Sequence, residues 1–269
     1  MHKFFLCFQV LVLCALPLMA DEASDDGVFP TATDESSFPY EGPVWDGPQA
    51  VLWDNGPVIT SYGTGVGGAD ESILDPLETT NGFGCQWGAD IRLADDFEIP
   101  AGTTWEIDVI TLIGYQTDEG PPSSITGVYI EMYDDEPEFG TLLYGDLFTN
   151  VMTTTEFMNC YRVNEEGSGT ADNRPLMVQT CEFGTPIVLS EGTYWMCWQQ
   201  DGMGESGPWN PPITINGQLE TGNAVQYYQA AWSPIADNSS GELKGLPFTL
   251  QGTITSLENE TWGAIKTLF

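Results

Sequence analysis

The side chains that could do chemistry in this chain are mostly carboxylates. The 269 residues include 40 Asp or Glu, six Lys or Arg and a single histidine, His2. His2 falls in a predicted leader, so the mature chain would contain no imidazole, which excludes Ser/His/Asp and Cys/His catalysis and His-ligated metals. So few cations on an acidic surface also exclude nucleic acid as a partner, because phosphates bind to a stripe of positive charge.

One pair of carboxylates has the spacing of a catalytic strand. Glu106-Ile107-Asp108 alternates acidic and apolar residues, which places both acids on one face of a strand. The pair resembles the Glu-x-Asp-x-Glu strand of laminarinase-like jelly-roll glycosidases, and such enzymes use two carboxylates beside a cleft. The third carboxylate of that pattern is missing, because Ile110 and Thr111 stand where it belongs. A carboxylate-dependent glycoside hydrolase is therefore the alternative interpretation of this chain.

Acid clusters followed by turn residues are typical of Ca²⁺ sites, because carboxylate and backbone oxygens can converge there. The clusters are Asp95-Asp96, Asp118-Glu119, Asp134 to Glu138, Glu165-Glu166 and Asp237-Asn238. Asp95 and Asp96 differ from the others because they interrupt a strand that otherwise alternates. They either face solvent or bind an ion at the edge of the sheet, and we predict them as the candidate calcium ligands. A well-hydrated acidic surface without any specific ion is the competing interpretation.

Aromatic side chains offer a third kind of chemistry. The chain has nine Trp and ten Tyr, more than one core needs, and exposed indole faces can stack on sugar rings beside polar groups. Trp209, in a loop flanked by prolines, and Trp87, close to Cys85, are the predicted ligand-binding residues. The tryptophans within predicted strands are expected in the core. These are Trp105, Trp195 and Trp198.

Four cysteines remain after the predicted leader, and an even number in an exported chain favours two disulfides. Three pairings are possible. A hairpin of Phe157–Val163 with Leu176–Phe183 would set Cys160 opposite Cys181, at a separation that a disulfide can bridge. By elimination, Cys85 would then pair with Cys197.

Short apolar runs, rich in β-branched and aromatic residues, recur between Gly, Pro, Asn and Asp clusters. No long segment with helical periodicity competes with them, so the pattern predicts an all-β fold, an antiparallel β-sandwich of jelly-roll type. Ile91–Ile99 and Trp105–Tyr115 are two of the predicted strands. Two segments, Gly63–Gly88 and Asp201–Gly222, are longer than ordinary connections, and loops of that length are often functional.

The chain divides into four predicted segments. Residues 1–20 have a short basic start, an apolar run and a small-residue cleavage site, which indicates a secretory signal peptide and a secreted or cell-surface location. Residues 21–48 are acidic and contain prolines, 49–255 hold the predicted sandwich, and 256–269 form a short amphipathic C-terminal helix or a sorting tail. No second apolar stretch is long enough for a transmembrane span.

A family resemblance supports this interpretation. Leu93–Trp105, with its pattern ADDF-x-x-P-x-G-x-x-W, together with Gly192–Trp195 and Gly207–Gly217, resembles a recurring type of secreted bacterial β-sandwich module. The likeness extends from about Val51 to Ile254. Such modules resemble carbohydrate-binding and surface-protein sandwiches. The resemblance implies an exported β-sandwich. For such a module we predict a non-catalytic protein that binds a polysaccharide or a cell-envelope component, or that has an adhesive or structural role at the surface.

Overall fold

The computed structural model describes residues 50–165, 167 and 170–256. In this part of the chain the helical segments are single 3₁₀ turns at Val66–Gly68 and Trp87–Ala89, and the other regular elements are strands. The prediction of an all-β fold is confirmed. The strands are β1 Ala50–Asp54, β2 Asp70–Ile73, β3 Phe83–Gly84, β4 Arg92–Gly114, β5 Ile125–Tyr133, β6 Leu142–Asp146, β7 Thr154–Val163, β8 Pro175–Gly202, β9 Trp209–Asn210, β10 Val225–Tyr228, β11 Ala231–Pro234 and β12 Phe248–Ser256.

Ten of these strands form one hydrogen-bonded sheet, in which β1, β12, β4, β8, β5 and β6 follow one another as neighbours. The long strands β4 and β8 pair antiparallel over most of their length, but their two halves have different outer neighbours. The first half of β4 pairs with β10 and the second with β12. The first half of β8 pairs with β7 and the second with β5. The remaining strands, β3 and β9, form a separate small sheet.

The strand β4 replaces two shorter strands that the alternation predicts. The two runs Ile91–Ile99 and Trp105–Tyr115 merge into one strand, although residues 100–103 between them have no partner in β8. Gly102, with a φ of 77°, bends the chain there. The register of β4 against β8 shifts at this bend. A bulge of this kind bends a strand and increases its twist, so the glycine marks a bend within one strand and not a turn between two.

The main group of buried side chains contains residues from both halves of the long strands. Phe97, in the first half of β4, stacks on Trp105 of the second half with ring centroids 6.3 Å apart, and it meets Phe248 of β12 edge-on at 6.5 Å. Trp198 of β8 meets the same Phe248 at 6.2 Å. Trp195 is buried as well. The prediction that the strand tryptophans pack in the interior is therefore confirmed.

One strand pair departs from the predicted antiparallel arrangement. β2 runs parallel to β7, with Asp70 opposite Cys160 and Ile73 opposite Val163. β2 lies inside the segment Gly63–Gly88, where the residues show no strong strand pattern, so neither the strand nor its direction was predicted. The sheet is therefore mixed.

The two predicted disulfides are wrong, because all four cysteines in the described residues are free thiols. β7 and β8 pair in a different register from the predicted hairpin, so Cys181 lies opposite Ile110 of β4 and not opposite Cys160. Cys85 and Cys197 belong to separate groups of buried side chains. Burial raises the pKa of all four thiols. They are therefore protonated side chains that pack in the interior.

Several predicted segments fall outside the described residues. They are the signal peptide 1–20, the acidic segment 21–48 and all but the first residue of the C-terminal helix or sorting tail. That first residue, Ser256, is the last residue of β12. Among the described residues, no helix is long and apolar enough to cross a membrane.

Candidate ligand-binding site

The two long loops meet, and their contact holds Trp209 in place. β3 lies in the first loop and β9 in the second, and the two pair antiparallel with Gly84 opposite Trp209. On its other side Trp209 exchanges two backbone hydrogen bonds with Tyr115, each 2.8 Å long. The backbone of Trp209 is thus held from both sides. The sequence marks both loops as long but gives no sign that they pair with each other.

A buried polar network fixes the residue after Trp209. The Asn210 side chain donates to Gln200 Oε1 at 2.9 Å and to Cys85 Sγ at 3.3 Å, and its Oδ1 accepts the indole N–H of Trp198 at 2.6 Å. All four residues are buried. A fully paired polar network inside a core specifies one arrangement of its members. The network therefore fixes the position of β9 against β8.

Trp209 lines a cavity of about 290 Å³, here called the Trp209 pocket. Its lining also includes Thr80, Phe83, Gln226, Ser233 and Asn238. The Trp209 indole is half-buried, and its N–H donates to Ser206 Oγ at 3.2 Å. None of the residues that line this pocket is charged. The pocket therefore offers an aromatic surface, amides and hydroxyls, but no carboxylate and no cation.

Asp237 joins two walls of the pocket without lining it. Its carboxylate accepts the backbone N–H groups of Thr79 and Thr80 at 2.9 and 2.7 Å, and those of Ser239 and Ser240 at 2.8 and 3.0 Å. Burial alone would raise the pKa of Asp237, but these four donors outweigh it and hold the pKa well below its ordinary range. The carboxylate is thus a charged anchor that fixes the loop around Thr80 beside the loop around Asn238.

Two buried cations, which the sequence analysis did not single out, contact both long loops, Gly63–Gly88 and Asp201–Gly222. Lys244 pairs with Glu78 in the first loop and donates to the Leu219 carbonyl in the second. Arg162 donates to the Asn81 carbonyl at 3.1 Å and to Thr214 Oγ1 at 3.0 Å. Burial lowers the pKa of Arg162 to about 10. The one sequence signal that could have indicated these bridging cations is the scarcity of basic residues, because each Lys or Arg is unusual in so acidic a chain.

Trp87 does not line the Trp209 pocket. Its ring stacks on Tyr129 with centroids 5.1 Å apart and planes 16° from parallel. Its N–H donates to the Leu147 carbonyl at 2.8 Å, and 40% of the residue remains exposed. The structure therefore places the two predicted ligand-binding tryptophans in different surroundings, and only Trp209 lies beside uncharged polar groups in a cavity.

Asp95 is held by hydrogen-bond donors. Its carboxylate is buried and accepts the side chain of Asn55 at 2.8 Å, the backbone N–H of Leu246 at 2.8 Å and that of Asp96 at 3.0 Å. Asp96 is the next residue of β4, so its side chain points to the opposite face of the sheet. Within the described residues, no group of three or more Asp, Glu, Cys or His side chains could hold a metal ion.

Glu106 and Asp108, the carboxylates of the alternative glycosidase interpretation, lie where β4 meets β12. Glu106 Oε2 accepts the Thr253 hydroxyl at 3.4 Å, and Asp108 stands where the pairing of β4 with β12 shifts register. Both side chains are partly exposed and neither lines the Trp209 pocket. No protein-family model, no curated protein and no solved structure matches this chain. The ligand is therefore inferred from the geometry of the pocket.

Proposed function

We propose that this protein is a non-catalytic binding module that holds a neutral saccharide in the Trp209 pocket. The observation that carries the proposal is an indole beside amides and hydroxyls in a cavity without charged walls. Sugar rings present apolar C–H faces and a rim of hydroxyls, so they suit such a lining. A volume of about 290 Å³ lies at the small end of ligand clefts and suits one or two sugar rings.

The charge distribution favours a neutral saccharide over an anionic one. The chain has a formal net charge of −34, and its pocket lacks a cation that could offset this charge locally. An anionic polysaccharide would therefore be repelled by the whole surface. The lining also lacks the carboxylates that a calcium-bridged sugar would need, so the proposed binding requires no calcium.

The proposed setting is an exported β-sandwich of jelly-roll type. Packing of the first half of β4 against its second half, through Phe97 and Trp105, supports two facing layers. The leader-like residues 1–20 and the resemblance of Leu93–Trp105 to secreted sandwich modules support export. The ligand would then be a polysaccharide outside the cell or in its envelope.

Retention on a panel of neutral and anionic polysaccharides tests this function. We expect retention on a neutral polymer, unchanged when EDTA replaces Ca²⁺ at constant ionic strength. Trp209→Ala removes the stacking surface, so we expect an affinity loss of about tenfold or more, which corresponds to about 1.4 kcal/mol. Asn238→Ala removes an exposed amide from the lining of the same pocket. It should also weaken binding, which guards against misfolding of the tryptophan variant.

Trp87→Ala is the matched control, because it removes an exposed indole that does not line the pocket. We expect it to bind like the wild type. Loss of binding in Trp87→Ala, with retention in Trp209→Ala, would place the site elsewhere. Retention on none of the polymers would contradict saccharide binding altogether.

Adhesion at a surface is the second candidate function, and one observation favours it. β6 ends the sheet with its outer side unpaired in the described residues. Leu142, Leu143 and Phe148 are exposed on or just after this strand. Unpaired edges with exposed apolar side chains can add a strand from another chain. Absence of any soluble ligand, together with self-association through β6, would support this role.

A further inference from the structure

A second cavity of about 230 Å³ shares no lining residue with the Trp209 pocket. Its apolar surface includes Val58, Ile113, Met158 and Phe248. Tyr62 also lines it, with 76% of the residue exposed to solvent. The function proposed above leaves this cavity unused.

One charge stands in this otherwise apolar cavity. Asp54 is the single charged residue among those that line it, and it is accompanied by the hydroxyls of Tyr62, Thr111 and Thr249. Asp54 Oδ1 accepts the backbone N–H of Gly56 at 3.0 Å, which holds the exposed carboxylate in place at the end of β1. The cavity therefore combines an apolar interior with a fixed negative charge and no positive one.

We propose that this cavity binds a small apolar amine, one aromatic ring that carries an ammonium group. An empty apolar cavity of about 150 Å³ is large enough for benzene, so about 230 Å³ has room for a ring with a short chain. The ammonium group would pair with Asp54. The exposed ring of Tyr62 would cover the ligand and attract the same cation through its π face.

The charge of the whole chain acts in the same direction. A net charge of −34 attracts cations and repels anions, and a carboxylate beside an apolar wall strengthens that preference locally. A neutral ring would gain only from apolar contact, and an aromatic acid would be repelled. The proposal thus predicts an order of affinity among ligands of one shape.

Three probes of matched shape test this order, namely phenethylamine, 2-phenylethanol and phenylacetate. Binding is measured by titration calorimetry and by the methyl NMR signals of Met158 and Ile113, which report on this cavity. At low ionic strength we expect phenethylamine to bind about threefold to fivefold tighter than 2-phenylethanol, since an exposed ion pair contributes up to about 1 kcal/mol. Phenylacetate should bind weakest. Equal binding of the amine and the acid would overturn the proposal, and so would methyl signals that none of the probes shifts.

Asp54→Asn removes the negative charge of this side chain and keeps its shape. An Asn side chain can still accept the Gly56 N–H, so we expect the preference for the amine to vanish while 2-phenylethanol binds as before. Asp70→Asn is the matched control, because Asp70 likewise accepts a loop N–H, that of Gly63 at 2.9 Å, outside the cavity. Tyr62→Ala should weaken the amine more than the alcohol. An amine preference that persists in Asp54→Asn would contradict the assignment to this cavity.

Discussion

Asp95 is the carboxylate whose titration we expect to affect folding most directly. Burial raises the pKa of Asp95 to about 7 from its ordinary value of 3.8, although three N–H donors oppose the rise. The folded protein therefore holds this proton more tightly than the unfolded chain does. The resulting stabilisation is fully present below about pH 4 and is lost as the pH rises through about 7.

This difference predicts a slope in the free energy of unfolding. Between about pH 4 and pH 8 we expect Asp95 to reduce that free energy by up to about 4 kcal/mol, since one pKa unit corresponds to about 1.4 kcal/mol. Denaturant unfolding at several pH values measures the slope, and Asp95→Asn should flatten it. Asp96→Asn, its partly exposed neighbour, is the control that should keep it. Identical slopes in the wild type and Asp95→Asn would show that this carboxyl does not carry the effect.

At the level of single residues, the sequence reveals which side chains are unusual but not which groups they contact. Asp95 stands out because it interrupts an alternating strand, yet its donors Asn55 and Leu246 lie 40 and 151 residues away along the chain. Cys160 and Cys181 suggest a disulfide through an assumed register. Trp209 is indicated by its loop, whereas the amides and hydroxyls around it come from segments that only the fold brings together.

A close backbone contact between β12 and β4 predicts the cost of one substitution. A Cβ added at Gly252 would lie 1.9 Å from the carbonyl oxygen of Glu106, in the region where the ladder changes register. Gly252→Ala must therefore push β12 away from β4, and overpacking of this kind costs about 1–3 kcal/mol. We expect the free energy of unfolding to fall by that amount, as measured by denaturant titration.

Gly184→Ala is the matched control for Gly252→Ala. Gly184 lies in β8, and a Cβ there would meet nothing within 4 Å. We expect this substitution to be neutral or slightly stabilising, because alanine restricts the unfolded chain more than glycine does. If both variants lost the same stability, the backbone contact at Gly252 would not be the cause.

At the level of elements, local alternation locates strands but does not join them. The apolar runs Leu176–Phe183, Ile187–Leu189 and Tyr194–Trp198 all fall in β8. A strand can continue through a bulge that looks like a turn in the sequence. The pairing of Gly84 with Trp209 joins two segments without strong strand patterns. Such a pairing depends on long-range contacts, which periodicity does not encode.

At the level of the whole molecule, the acidic surface opposes association through β6, the edge strand whose outer side is unpaired among the described residues. β6 exposes Leu143 at 46%, and Phe148, just after it, is 87% exposed. Native proteins often protect such edges with lysine, but residues 134–148 contain acids and no basic residue. Composition predicts the acidity of this chain, whereas the position of β6 at the end of the sheet follows from pairings that the sequence does not reveal.

We expect self-association of this protein to increase with salt. Screening over a Debye length that falls from about 30 Å at 0.01 M to about 3 Å at 1 M removes the repulsion between acidic copies, after which the β6 edges can pair. Light scattering across this range measures the mass. Leu143→Lys should suppress the increase, whereas Met203→Lys adds the same charge at an exposed site on neither strand of this edge pair and should not. Equal effects of the two variants, or a wild type that stays monomeric at high salt, would show that the acids do not guard this edge and that adhesion through β6 is wrong.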